Sequence, residues 1–291
     1  MVSCQWSVGL VDEESVNRSA VIRNSSFVII SMFILTAVLL AISTLQWISG
    51  ILVLIFLFLG FKILESNWSY RISKPHAWES AASSIPRNLK KIERFYRDKV
   101  RFYNFWFQIE RLKKDHIAGA FAEVGVYKGE TAKMIHLMDP TRKFYLFDTF
   151  DGFAKKDLAL ENQEDENLKT IDFSDTTEAA VTGFIGGNEN IKVIPGYFPE
   201  TTAKIPEESF AFVHLDADLY QPTLTGLRYF YPKLAKGGVI IVHDYNHNWE
   251  GVRKAVDEFR ETIPERIVEV ADWQGSVMIF KNDELRMTNY E

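Results

Sequence analysis

The stretch "FVIISMFILTAVLLAISTLQWISGILVLIFLFLGF", Phe27 to Phe61, carries no charged residue. Nothing else in the sequence limits the fold so strongly, because so long an apolar run must be removed from water. A bilayer core takes about 20 apolar residues per helix, so the run is long for one span and barely enough for two. Gln46, Ser49 and Gly50 sit near its middle, where a tight turn belongs. The expectation is a transmembrane helical hairpin over 27–63, with arms at 27–45 and 48–63 and Trp47 at the far interface. Arg18 and Arg23 before the run, and Lys62, Arg71 and Lys74 after it, put both ends in the cytoplasm. One long tilted helix is the alternative and would separate the ends. A cleaved signal peptide fits poorly, since the run is too long and follows the acidic "VDEES". Sequons beginning at Asn17, Asn24 and Asn67 matter only if those segments face a lumen.

The rest has the make-up of a folded protein. Hydrophobic residues are 47%, charged residues 25% and aromatics 14%, which argues against disorder. A net charge of −6 gives no support for nucleic-acid binding, which rests on clustered Lys and Arg. Cys4 is the only cysteine, so one chain can build neither a disulfide framework nor a Cys-based zinc cluster.

The organisation expected is a polar segment 1–26, the hairpin 27–63, a linker 64–85 and an amphipathic helical cover 86–117. An α/β domain then fills 118–283, followed by a tail 284–291. In that domain short apolar runs such as "AFAEVGV", "KFYLFDTF", "FAFVHLDAD" and "GVIIVHDY" alternate with helical patterns. Such βαβα alternation implies a mostly parallel, Rossmann-like sheet with helices on both faces. "RIVEVAD" and "SVMIFKN" are joined by "WQG" alone, too short for a crossover, so they form an antiparallel C-terminal hairpin.

Ligands of such sheets gather at the carboxyl ends of the strands, where strand order reverses. There the first strand gives "EVGVYKGETA", with Glu123 and Gly125, and the second gives "LFDTFDGF". Asp148 follows Glu123 at about the spacing by which an acid meets ribose hydroxyls. The dinucleotide glycine fingerprint and a phosphate-binding P-loop are both missing. A nucleoside without phosphates suits the pattern, and S-adenosylmethionine is one.

"FAEVGVYKGETAKMI", "YLFDTFDGF", "VIPGYFPET", "HLDADLYQPTLTGLRYFYPKLAKGGVIIVHDY" and "GVRKAVDEF", in this order, resemble the macrocin O-methyltransferase family. The resemblance covers about residues 85–281 and implies a class I S-adenosylmethionine-dependent enzyme acting on hydroxyls of sugars and natural products. It puts Glu123 and Gly125 along the methionine part of the donor and Asp148 at its ribose. It makes Asp216 a ligand of a divalent metal, usually Mg²⁺, and Asp218 the general base. The family ends its next strand with Asp-Asp-Tyr, both acids ligating; here His243-Asp244-Tyr245 stands instead.

The chemistry of these residue types agrees. Asp216 and Asp218 flank Ala217, so an extended strand would point both to one face. A metal-bound hydroxyl becomes more acidic, and the neighbouring carboxylate can take its proton. His243 either ligates, which suits Mn²⁺ better than Mg²⁺, or points away and leaves the place to water. His214, on the same face as Asp216, reads as a hydrogen-bonded core histidine. The partners expected are a small-molecule or lipid-linked saccharide and membrane lipids, and the chain is compatible with a homo-oligomer. Two other readings remain: a glycosyltransferase using the D-x-D pair, and a scaffold that keeps the fold without catalysis.

Overall fold

The structure, a computed structural model, describes residues 28–34, 46–67, 75–161 and 173–282. The polar segment 1–26, with the sequons at Asn17 and Asn24, and the tail 284–291 lie outside the described residues. The chain divides between Ser84 and Ile85 into two compact units.

The first unit contains helices α1 (28–34), α2 (Gln46–Asn67) and α3 (His76–Ser84). Among the described residues no helix is long and apolar enough to cross a membrane. The transmembrane hairpin expected over 27–63 is therefore corrected. The expected integral membrane placement, with the α/β domain in the cytoplasm, is corrected with it.

The second unit opens with α4 (Arg87–Phe95) and α5 (Lys99–Lys114) and continues into the sheet. The strands are β1 (Ala120–Val124), β2 (Phe144–Asp148), β3 (Ile191–Pro195), β4 (Phe210–Leu215), β5 (Leu234–Val242), β6 (Ile267–Val270) and β7 (Ser276–Phe280). They form one sheet in the order β3-β2-β1-β4-β5-β7-β6. β1 to β5 run parallel, while β7 is antiparallel to both β5 and β6. The C-terminal hairpin follows from its short connection, as the sequence implied. Connecting helices include α6 (Glu130–Met138), α7 (Lys155–Leu158), α8 (Glu178–Ile185), α9 (Tyr220–Phe230) and α10 (Glu250–Arg260). From β1 the chain winds one way through β2 to β3, and then returns to β4 and winds the other way to β5. The carboxyl ends of β1 and β4 flank this reversal, where a crevice opens.

β1, β2 and β4 are buried along their whole length, as expected of central parallel strands rich in aromatic and β-branched residues. Val124, Phe147, Val213 and Leu215 join the core that α9 and α10 complete with Phe230 and Phe259. Phe212 and His214 lie on the opposite face, where Phe105 of α5 stands edge-on to both rings, at 5.6 and 5.0 Å. Helix α5 buries Phe102, Phe105, Ile109 and Leu112 at helical spacing. Its first turn is capped by Asp98, whose carboxylate accepts the Arg101 N–H at 2.9 Å. α5 is thus a core helix of this unit.

Ile109 is completely buried and has no part in the site described below. Ile109→Ala is expected to lower unfolding free energy by about 2–5 kcal/mol in a denaturant titration, the range for a buried large-to-small change.

Candidate active site

Strand β4 ends at Leu215, so Asp216 and Asp218 stand beyond it rather than within an extended segment. Asp216 still follows the alternation of His214 and faces the side covered by α5. Asp218 does not: its φ is 60°, and Asp244, just past β5, has φ 65°. Asp is among the residues that tolerate the left-handed region, yet each placement costs about 1 kcal/mol or more. The expected strand geometry for the Asp216/Asp218 pair is corrected accordingly. Two consecutive parallel strands each end in an acid held in a strained turn, a pattern typical of working sites.

Between these ends the side chains are close and buried. Asp216 Oδ1 and Asp244 Oδ2 each lie 3.0 Å from His243 Nδ1. Asp216 Oδ2 accepts a hydrogen bond from Arg101 Nη2 at 2.6 Å, and both partners are 2% exposed. The same nitrogen is 3.0 Å from His214 Nε2, and His214 Nδ1 is 2.9 Å from Glu123 Oε1. Glu123 and His214 are direct neighbours in the β1–β4 register, which puts them on one face.

Charges in so dry a place shift one another. Burial works against ionised Asp216, yet the charges of His243 and Arg101 hold it well below the usual carboxylate range. Burial raises Asp218 well above that range, and the charges of Asp244 and Asp216 add to the effect. Burial likewise raises Glu123 and lowers His214. His243 is opposed by burial and by Arg101, but Asp244 and Asp216 push its imidazole up to about 9.

Asp216, His243 and Asp244 each offer a ligand atom within 4.8 Å of the others. Asp244 Oδ1, His243 Nε2 and Asp218 Oδ2 are buried without a hydrogen-bond partner. Orphaned carboxylate oxygens gathered in this way, with an imidazole that ligates once it gives up its proton, fit a cation, and the mixed set suits Mn²⁺ as well as Mg²⁺.

Beside this cluster a narrow cleft of about 40 Å³ runs along the ends of β1 and β2, lined by Gly125, Asp148, Phe153, Tyr197 and Phe198 among others. Gly125 turns with φ 87°, a conformation open to glycine, and donates its N–H to Phe147 O at 2.9 Å. Asp148 is busier than the spacing argument implied. Its carboxylate accepts the N–H groups of Val126, Tyr127 and Phe150 at 2.7–2.8 Å, pinning the loop after β1. With about four acceptor positions on a carboxylate, roughly one is left.

All seven candidate residues therefore lie at the carboxyl ends of β1, β2, β4 and β5, at the cleft or in the buried cluster. Sequence reasoning missed Arg101, although a signal was there. It occupies the same stripe as Phe105, Ile109 and Leu112, an apolar face on which an arginine needs a buried partner.

Residues 96–281 match the family described as macrocin-O-methyltransferase (TylF). The chain is 27% identical over 192 residues to a mycinamicin III 3''-O-methyltransferase of Micromonospora griseorubida, covering 60% of this chain and 74% of that protein. It is 24% identical over 172 residues to the 8-demethyl-8-(2,3-dimethoxy-alpha-L-rhamnosyl)-tetracenomycin-C 4'-O-methyltransferase of Streptomyces olivaceus, covering 55% of this chain but 65% of that one, just under two thirds of its length. In structure it is similar to the O-methyltransferase NovP, with TM-score 0.54 and 22% identity over 64% of this chain and 81% of that one. The fold expected for the α/β domain is borne out.

The raised Asp218 carboxyl has a consequence for stability. A native acid that keeps its proton above the unfolded pKa loses stability as pH rises through that interval. Asp218→Asn removes this loss and keeps a side chain that accepts the left-handed turn. Its thermal midpoint should exceed the wild type's near pH 7, by about 2–4 °C per kcal/mol regained, and the gap should close towards pH 4. A gap that instead widens on acidification would contradict the assignment.

Proposed function

The chain belongs to the macrocin O-methyltransferase family, and on that premise we propose that it transfers a methyl group from S-adenosylmethionine to a sugar hydroxyl of a natural-product glycoside, with a divalent cation assisting. The observation that carries this reading is the set of Asp216, Asp218, Asp244 and His243 at the ends of β4 and β5, beside a cleft lined by Gly125 and Asp148. The similarity to the mycinamicin and tetracenomycin O-methyltransferases supports the acceptor class.

Each residue has a task on this reading. Gly125 lets the donor approach the backbone of the first loop. Asp148 first shapes that loop and then offers its remaining acceptor position to the ribose. Glu123 has one buried oxygen, Oε2, without a partner, and that atom takes the amino group of the methionine portion. Asp216, Asp244 and His243 would hold the cation. When bound, it would supply an electrophile that orients the acceptor hydroxyl and lowers its pKa. Asp218 takes the proton as the oxygen attacks the sulfonium methyl in line, and its raised pKa matches it to that work better than an ordinary aspartate. The glycosyltransferase reading leaves the cleft beside β1 and β2 without a purpose. A scaffold without catalysis leaves the strain at Asp218 and Asp244 uncompensated.

The test is incubation of the full chain with S-adenosylmethionine, Mg²⁺ or Mn²⁺ and a panel of deoxyhexosyl glycosides, read by mass spectrometry for the gain of one methyl. Asp218→Asn should lose about 10²-fold or more in kcat while S-adenosylhomocysteine still binds, the scale on which a general base acts. Full activity of that variant would remove Asp218 from the reaction.

Cation binding has a separate readout. Asp216→Ala should weaken Mn²⁺ binding, followed by electron paramagnetic resonance, more than His243→Ala does. The opposite ranking would make histidine the principal ligand. Because metal displaces a proton from an imidazole that titrates at about 9, Mn²⁺ affinity should rise with pH up to that value, and His243→Ala should flatten the rise.

A further inference from the structure

The buried ion pair that anchors this site comes from outside the sheet. Arg101 lies in the third position of α5, and Asp98 fixes its backbone from the helix cap at 2.9 Å. Asp98 also ties the tip of the β6–β7 hairpin, accepting the Trp273 N–H at 2.8 Å. The guanidinium is therefore delivered from a helix held at its own first turn, across a sequence separation of 115 residues to Asp216.

Its hydrogen bonds set a direction. A guanidinium only donates, so His214 Nε2 must accept from Arg101 Nη2 at 3.0 Å. The imidazole proton is then on Nδ1, which donates to Glu123 Oε1 at 2.9 Å. One arginine nitrogen thereby fixes one oxygen of Asp216 directly and one oxygen of Glu123 through a single histidine tautomer. The oxygen left to Glu123, Oε2, is buried and has no hydrogen-bond partner. The two acids sit on different strands: Glu123 is in β1, next in sequence to Val124, which lines the cleft, and Asp216 is in the acidic cluster.

We propose that Arg101 is a positioning residue of the methyl transfer, which holds the donor-facing Glu123 and the acceptor-facing Asp216 in one rigid unit through His214. This rests on the donor role given to Glu123 above. A buried cation that merely neutralised Asp216 would need no contact with His214. The hydrogen-bonded path to Glu123 is what makes donor binding depend on a residue in the helical cover.

The experiment reads donor affinity alone, by calorimetry of S-adenosylhomocysteine with the full chain. Arg101→Met, Arg101→Lys, Glu123→Gln and the double variant Arg101→Met/Glu123→Gln are compared, each checked for folding by circular dichroism. Arg101→Met should weaken binding by about tenfold or more, the scale of outer-sphere partners. Arg101→Lys keeps the charge on a side chain one bond shorter, and should recover only part of the loss; if the Met variant fails to fold, it carries the same comparison. In the Glu123→Gln background Arg101→Met should add less than about twofold, because the two residues act along one path. Wild-type binding by both Arg101 variants overturns the inference, and so does a loss that persists undiminished in the Glu123→Gln background. Glu123→Gln binding like the wild type retires the donor role of Glu123, a separate failure from that of Arg101.

Discussion

Four carboxylates, those of Glu123, Asp216, Asp218 and Asp244, are buried together at the ends of three adjacent strands. Like charges at such separations cannot all stay ionised in a dry pocket unless cations answer them. The Arg101 guanidinium, 2.6 Å from Asp216, is the fixed cation, and the His243 imidazole between Asp216 and Asp244 is the variable one. The other charge states of the cluster follow from this arrangement. Asp216 stays ionised because two cations face it. Asp218 is pushed the other way, because burial and the charges of Asp244 and Asp216 raise its carboxyl.

That balance ties the helical cover to the acidic cluster as well as to the packing. Helix α5 buries Phe102, Phe105, Ile109 and Leu112 against the sheet, and the same face carries Arg101 one turn ahead of Phe105. Apolar burial sets the height and rotation of the helix, so the Arg101 backbone is already in place and only its side chain remains to be ordered, a cost offset by its buried hydrogen bonds. The site is consequently assembled from two chain segments far apart in sequence, with β1 and β4 in register between them.

Much of the fold was legible in the residues. The runs of β1, β2, β4 and β5 stand out because central parallel strands must be apolar on both faces, and the last hairpin because five residues or fewer cannot carry a crossover. The ends of those strands were not legible. Alternation placed Asp216 on the right face but failed at Asp218, since a left-handed turn leaves no periodic trace in a sequence. Asp148 was found by spacing, which reports position but says nothing of the three backbone donors that claim its oxygens. Arg101 went unseen because its partner is set by tertiary packing. The uncharged run from Phe27 was read by composition alone, and composition does not fix how much of such a run is continuous helix.

The left-handed backbone at Asp218 and Asp244 bears on how a lineage of such proteins would change over time. Glycine and asparagine sit in that region more comfortably than aspartate. Replacement at either position would relax the main chain and also remove a buried negative charge, so drift runs downhill towards inactive sequences. Keeping an acid at both corners means resisting two energetic gradients at once. In descendants released from selection on turnover, these two positions should be among the earliest to decay, well before the apolar strands beneath them.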